Sequence, residues 1–152
     1  MSGWPIISLV TFLPLVGVAF LILIRGDAAT VARNSRHVAL WTSVVTFAIS
    51  LVLIGEFDIT NAGYQFEENV PWLPEFGISY HLGVDGISLF FLVLTTFLTP
   101  ICIIASWESI QSRVREYMIA FLVMQVLVVG VFCALDFVMF YVFFEGQLIP
   151  MF

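Results

Sequence analysis

The sequence predicts an all-α integral membrane protein with five transmembrane helices, the fifth of them cut short. Two observations predict this class. Hydrophobic residues make up 61% of the 152 residues and charged residues only 11%, whereas soluble domains average about 45–50% and about 25%. The apolar runs also approach or reach the length of about 20 residues that one membrane crossing requires. We therefore expect a single transmembrane domain over residues 1–152, with no room for a soluble catalytic domain.

The first two predicted helices are separated by an arginine-containing segment. Residues 4–24 carry no charge and are too long for the apolar region of a signal peptide, so they predict an uncleaved helix. Residues 38–54 form the second apolar run. The next segment, 55–81, is polar and acidic and contains two prolines. This composition predicts an acidic loop between membrane helices.

The third to fifth helices follow that loop. Residues 85–107 and 117–135 are the third and fourth predicted helices. Asp136 interrupts an otherwise apolar stretch of 36 residues that begins at Tyr117. Because this stretch is about twice the length of one crossing, we interpret Asp136 as a tight turn. The fifth helix, 137–152, rises about 24 Å against a hydrocarbon core of about 30 Å, which predicts a truncated chain.

The distribution of charge predicts an orientation. All basic residues are arginines, and they lie between the first and second helices or between the third and fourth: Arg25, Arg33, Arg36, Arg113 and Arg115. The positive-inside rule assigns these segments to the cytoplasm or matrix, so we expect the amino terminus and the acidic loop outside. Aromatic residues that typically mark the membrane interfaces are Trp4, Trp72, Tyr80 and Trp107.

Composition and motifs exclude several function classes. Lysine is absent and the net charge is -6, so the chain lacks the basic surface that nucleic-acid binding requires. Cys102 and Cys133 lie in apolar runs without histidine at ligand spacing, which indicates neither a disulfide framework nor a zinc site. The sequence has no glycine-rich phosphate loop and no intramembrane histidine pair for haem. We therefore expect no metal or cofactor in this chain.

Glu145 is the leading candidate for a functional residue. It lies nine residues beyond Asp136, about 13.5 Å along a helix, and therefore near the middle of the membrane. Acidic groups there cost about 2.5–3.5 kcal/mol and usually mark proton or ion paths. A cation that approaches and withdraws changes the proton affinity of a buried carboxylate by about 1.4–4 kcal/mol. We predict a proton relay at Glu145, with a cationic partner outside this chain; the alternative is a protonated, purely structural Glu145.

Gln125 is the second candidate. It lies ten residues before Leu135, about 15 Å, so a turn at Asp136 brings it within about 2 Å of the depth of Glu145. Our hypothesis is that Gln125 and Glu145 face each other or share a water molecule. Pro150 also leaves the carbonyl of Gly146 without its helical donor, although a simple kink is an equally good interpretation.

Three further polar features have structural explanations that require no catalytic role. Pro100 leaves the carbonyl of Thr96 without its helical donor, and this region has room in principle for water. Asp85 and Asp136 stand at the starts of predicted helices, where capping accounts for carboxylates without any catalytic role.

Four segments carry a family resemblance. They are residues 82–89 (LGVDGISL), 94–100 (LTTFLTP), 116–121 (EYMIAF) and 140–152 (FYVFFEGQLIPMF). In this order they closely resemble chain M, the equivalent of mitochondrial subunit 4, in proton-pumping NADH:quinone oxidoreductase (respiratory complex I). The match runs through essentially the whole chain and is strongest in the last segment.

The resemblance implies an antiporter-like fold of fourteen helices with an outward amino terminus, of which this chain supplies the first five. It implies that Glu145 pairs with a lysine on a broken seventh helix and joins a hydrated axis of protons and internal water. The implied partners are other membrane-arm subunits and the lipid bilayer, while NADH, FMN, iron–sulfur clusters and quinone bind elsewhere. The implied location is the bacterial cytoplasmic membrane, with the mitochondrial inner membrane as the alternative.

Two other functions remain open at this stage. The chain also resembles subunits of multisubunit cation/proton antiporters, which use a similar glutamate and a related Asp-Gly motif at the third helix. A structural membrane scaffold is the third possibility, and it predicts that Glu145 is dispensable.

Overall fold

The computed structural model describes residues 5–152 and is mostly helical, as the sequence predicts. Four of its helices are long and apolar enough to cross a membrane: α1 (Ile6–Leu23), α2 (Ala28–Glu56), α3 (Gly86–Ala105) and α4 (Val114–Cys133). A shorter apolar helix, α5 (Phe137–Gly146), continues into the single turn α6 (Leu148–Met151). Trp4, which the sequence places at the start of the first helix and at an interface, lies outside the described residues.

Helix α4 is the centre of the bundle, because it packs against α1, α2, α3 and α5. The buried apolar side chains form two separate clusters. The hairpin-side core contains Ile7, Val10, Leu53, Leu82, Val84, Leu89, Leu92, Val129, Cys133, Met139 and Phe143. The arginine-side core contains Leu21, Ala39, Ile103, Val114, Met118 and Leu122. The two apolar clusters therefore lie toward opposite ends of the bundle.

The acidic segment predicted as a loop contains a β-hairpin. Strand β1 (Gln65–Leu73) pairs antiparallel with β2 (Ile78–Val84), and a 3₁₀ turn over Pro74–Phe76 connects them. Gly77 ends this turn with a φ of 67°, which is accessible to glycine at little cost. The loop prediction was wrong because Pro71 and the acidic residues of β1 are unfavourable in sheets, although an edge strand tolerates proline.

Hydrogen bonds attach this hairpin to the helices beside it. Glu68 accepts from the amide (2.8 Å) and the hydroxyl (2.7 Å) of Ser8 in the first turn of α1. At the α4–α5 turn, the amide of Leu135 donates to the carbonyl of His81 at 2.8 Å. The hairpin therefore covers one end of the bundle and is fixed to both its first and its last long helices.

The arginines lie at the opposite end of the bundle. The Arg36 guanidinium donates to the carbonyl of Ile110 at 2.8 Å and lies 6.0 Å from the ring centroid of Trp107. Arg115 donates to the carbonyl of Ile24 at 3.2 Å. These contacts join α2 to the α3–α4 connection and α4 to the α1–α2 connection. The molecule therefore has an arginine end and a hairpin end, as the spacing of charge along the chain indicates.

Several helix boundaries differ from those expected. Helix α2 begins at Ala28 rather than at residue 38, because Asp27 accepts a capping hydrogen bond from the amide of Thr30 at 3.3 Å. Helix α4 begins at Val114 rather than 117. The fifth helix is interrupted at Gln147. Hydropathy detects the apolar part of a helix, so it misses polar turns that extend beyond that part.

Candidate functional site

The face that α5 turns toward α4 is set by two close contacts. The ring of Phe143 lies against Gly130, and Gly146 lies against Leu127, whose Cδ2 would be 3.2 Å from a Cβ at residue 146. Glu145 is about 200° around the helix from Phe143, since each residue turns the helix by about 100°. Consistent with this geometry, the Glu145 side chain is exposed in this chain. It therefore points away from α4 and onto a face of α5 that residues 5–152 leave open.

Gln125 occupies a different environment. Only 2% of its surface is exposed, and neither its amide nitrogen nor its amide oxygen has a hydrogen-bond partner within the described residues. The contacts of α5 with α4 set Glu145 level with residue 128, three residues or about 4.5 Å nearer the hairpin end than Gln125. The structure therefore does not bring Gln125 and Glu145 together, although their depths are similar.

Gln125 belongs to a band of buried polar side chains, here called the polar layer. Its members are Ser43, Thr46, Ser50, Thr96, Thr99 and Gln125. On α4, Gln125 lies between Leu122 of the arginine-side core and Val129 of the hairpin-side core. The polar residues of α2 and α3 are likewise placed between members of the two cores. The layer therefore separates the apolar clusters about half-way along the bundle.

The hydroxyl groups of the polar layer are mostly satisfied by neighbouring groups. Ser50 and Thr96 form a hydrogen bond between α2 and α3, with 2.8 Å between their hydroxyl oxygens. Thr46 and Thr99 donate to carbonyls one turn earlier in their own helices, at 2.8 and 3.0 Å. In the part of the chain that the structure describes, Gln125 is the member of this layer whose polar atoms are entirely without partners.

The polar residues of α2 were missed by the sequence analysis. Ser43, Thr46 and Ser50 recur at intervals of three or four residues, which places them on one face of a helix. This spacing was a usable signal, because small polar side chains allow close packing of membrane helices. Without the fold, however, the same residues fit equally well as tolerated hydroxyls in an apolar helix.

Asp85 and Asp136 cap the starts of α3 and α5, which confirms the prediction that these carboxylates are helix caps. Asp85 accepts from the amide of Ser88 at 2.7 Å, and this bond is the main cause that lowers the pKa of its carboxyl. Asp136 accepts from the amides of Val138 at 2.9 Å and Met139 at 3.2 Å. It also accepts from the amide of Ser79 in β2 at 3.1 Å, a second role that the sequence did not predict.

Metal-ligand side chains are dispersed in this structure. Within residues 5–152, no group of three or more His, Cys, Asp or Glu side chains is arranged to hold a metal ion. Cys102 is exposed and Cys133 is buried, and neither forms a disulfide. His81 has a carboxylate neighbour, with 3.9 Å between its Nε2 and an oxygen of Glu67.

Comparisons with known proteins agree with the sequence resemblance. The family described as NADH-ubiquinone oxidoreductase chain 4, amino terminus, matches residues 9–134. Over 148 residues the chain is 51% identical to NADH-quinone oxidoreductase subunit M of Rhodobacter capsulatus, covering 97% of this chain and 28% of that relative. Over 140 residues it is 46% identical to NADH-ubiquinone oxidoreductase chain 4 of Marchantia polymorpha, covering 92% of this chain and 28% of that relative.

A solved structure shares the fold. The chain matches a chain of respiratory complex I from Thermus thermophilus with bound NADH, with a TM-score of 0.73 and 28% sequence identity. The match covers 95% of this chain and 27% of that chain, so the present sequence spans less than a third of the length of the relatives it matches. With the family match extending over residues 9–134, the chain belongs to the NADH-ubiquinone oxidoreductase chain 4 family and corresponds to its amino-terminal part.

Proposed function

We propose that this chain forms part of a proton-translocating membrane-arm subunit of NADH:quinone oxidoreductase, with Glu145 as a proton relay. The observation that carries the proposal is the placement of Glu145. It projects from the face of α5 opposite Gly130 and Leu127, within an apolar helix, and is left open by residues 5–152. A carboxylate in such a helix is costly unless a partner group or water meets it, which is why intramembrane acids usually mark ion paths.

The missing partner of Glu145 must come from outside the described residues. The arginines lie near the arginine end of the bundle, and within residues 5–152 none of them forms an ion pair with Glu145. A cation on another part of the subunit, or on a neighbouring subunit, would stabilise the carboxylate on approach. Its withdrawal would favour protonation, because a nearby cation stabilises the charged form of a carboxyl group. This alternation is how Glu145 would load and release a proton.

The remaining parts of the proposal concern location and partners. The arginine end would face the bacterial cytoplasm, and the hairpin end the opposite side, by the positive-inside rule. The other membrane-arm subunits and lipid would cover the exposed apolar surfaces of α1–α5. NADH oxidation at FMN, the iron–sulfur clusters and quinone reduction would take place in other subunits. The alternative location is the mitochondrial inner membrane.

The test is Glu145→Gln in the full-length subunit, assembled in its complex in sealed membrane vesicles. The substitution keeps the shape of the side chain and removes its exchangeable charge. We expect proton pumping per NADH oxidised to fall several-fold while the amount of assembled complex is unchanged. Glu75→Gln, in the exposed turn of the hairpin, is the matched control and should pump normally.

Two other results would point to other functions. Unchanged pumping in Glu145→Gln vesicles would support the structural scaffold, in which this acid is dispensable. Proton movement driven by a sodium gradient in the absence of NADH would instead support a cation/proton antiporter. Measuring both activities in the same vesicles therefore separates the three functions.

A further inference from the structure

We propose that the polar layer contains a buried water-binding site, in which the Gln125 amide holds water that links α4 to α2 and α3. This site is independent of the proton relay proposed for Glu145, because Glu145 projects from the opposite side of α5. The inference starts from the one polar side chain of the layer that has no partner within residues 5–152.

The enclosure of Gln125 restricts what can satisfy it. Its side chain is 2% exposed, so the helices of this chain already surround it. A segment of another subunit, or a lipid, has no access to a side chain enclosed in this way. Both amide atoms lack partners, and a buried amide without hydrogen bonds is unfavourable. A partner must therefore be small and must offer both a donor and an acceptor, which are the properties of water.

Aromatic contacts between helices show which groups share the depth of Gln125. The stacked rings of Phe91 and Phe132, with centroids 5.1 Å apart, set the antiparallel register of α3 against α4. In this register Gln125 is level with residue 98, so Thr99 is one residue away and Thr96 two.

The same reasoning extends to α2. Phe47 of α2 and Phe97 of α3 have ring centroids 5.5 Å apart, which sets the register of these two helices. Residue 98 of α3 is then level with Thr46 of α2. Hydroxyl groups on two neighbouring helices therefore lie within one turn of the depth of the Gln125 amide.

Each of these groups retains hydrogen-bonding capacity. The hydroxyls of Thr46 and Thr99 donate to backbone carbonyls, so their oxygen lone pairs remain available as acceptors. The carbonyl of Thr96 has no amide donor from residue 100, which is proline. A water bound to Gln125 can donate to one of these acceptors and complete the two to four bonds typical of buried water.

The test is a cryo-electron microscopy map of the intact complex, at a resolution that shows ordered water. We expect density for water within hydrogen-bond distance of the Gln125 amide and of at least one hydroxyl or carbonyl of α2 or α3. A map in which the amide bonds directly to protein groups, with no water beside it, would overturn the proposal. This result needs no variant and is therefore independent of whether a substitution folds.

A matched pair of variants strengthens the test. Gln125→Met keeps a long unbranched side chain but removes both hydrogen-bonding atoms, so the water density should be lost at this site and retained elsewhere. Val128→Met, on the same helix, adds a methionine without touching the amide and should leave the water in place. Water that persists in Gln125→Met would show that other groups hold it and would contradict the assigned role.

Discussion

Phe143 on α5 packs its ring against the backbone of Gly130 on α4, and the space between them holds no additional atom. A Cβ at residue 130 would lie 2.5 Å from Cδ1 and 2.6 Å from Cγ of that ring. Because Cγ is at the root of the ring, a rotation of the ring alone does not open this space. This contact brings α5 close to α4 and thereby determines that Glu145 projects outward.

We predict that Gly130→Ala destabilises the packing of α5 on α4. Inserting a methyl group into a filled interior typically costs about 1–3 kcal/mol, which exceeds the gain of about 0.5–1 kcal/mol from replacing glycine in a helix. Hydrogen exchange of α5 peptides in the intact complex should become faster. The size of the change reports how strongly this contact holds the helix.

Gly55→Ala is the control for that substitution. Gly55 is also helical, but a Cβ there meets nothing within 4 Å, so the variant keeps the propensity gain without a clash. Adding Phe143→Val to Gly130→Ala should restore slow exchange by opening the space. Unaltered exchange in Gly130→Ala alone would mean that α5 is held by other contacts.

The same contact explains why one sequence hypothesis reached only part of the site. Counting residues from Asp136 gives depth: Gln125 lies in the middle part of α4, and Glu145, near the end of α5, lies about 4.5 Å from its level. Depth does not give the direction of a side chain around the helix axis. That direction depends on which residues face α4, and Phe143 gave no such signal because the residues on either side of it, Val142 and Phe144, are also apolar.

The sequence predicts those parts of the fold that long apolar runs reveal, and it misses those that depend on contacts between distant residues. Long apolar runs revealed α1 to α4, since a helix satisfies its own backbone hydrogen bonds inside a membrane. The hairpin lies outside those runs, where strand pairing depends on contacts distant in sequence, such as Glu68 with Ser8. The polar layer was likewise hidden, because hydroxyl groups are common in membrane helices and only the packing shows that these share one depth.

The hydrogen bond between Ser50 and Thr96 should stabilise the contact of α2 with α3 by a small amount. Interhelical hydrogen bonds in a membrane protein average about 0.6 kcal/mol by double-mutant cycles. We therefore expect a coupling of this size between Ser50→Ala and Thr96→Val. Thermal unfolding of the purified complex can be monitored by hydrogen exchange of α2 and α3 peptides. The cycle needs four stabilities: those of the natural protein, of each single variant and of the double variant.

Thr95→Val is the matched control for the Thr96 substitution. Thr95 is half-buried, and its hydroxyl donates only to the carbonyl of Phe91 in its own helix, at 2.8 Å. Combining Thr95→Val with Ser50→Ala should give effects that add. A coupling between Ser50 and Thr96 no larger than in this control pair would argue against the interhelical bond.

Replacing Asp136 should loosen the hairpin and the start of α5 together. Its carboxylate accepts hydrogen bonds from the amides of Ser79, Val138 and Met139. In Asp136→Ala these amides lose their acceptor, so their hydrogen exchange should become faster. Asp58→Ala is the control, because the Asp58 carboxylate accepts hydrogen bonds only from Thr60. In this variant, hydrogen exchange at Ser79 should be unchanged. Protection at Ser79 that survives Asp136→Ala would show that strand pairing alone fixes this end of β2.

The attachment of the hairpin should also depend on pH, in a direction set by the pKa of Asp136. The hydrogen bond from the Ser79 amide is the main cause that holds this pKa below the ordinary value of 3.8, and the Met139 amide adds to it. A lowered pKa in the folded state means that the carboxylate stabilises the fold above the unfolded pKa. This contribution disappears as pH falls through the lowered value.

We therefore expect protection at Ser79 to stay constant from about pH 8 to about pH 5 and to decrease below about pH 4, after correction for intrinsic exchange rates. Asp136→Asn separates this titration from other effects of acid. Asparagine also caps helices well but is not protonated in this pH range. In this variant, protection of the Ser79 amide should therefore show no step. An equal decrease in the variant and the natural protein would assign the acid sensitivity to another group.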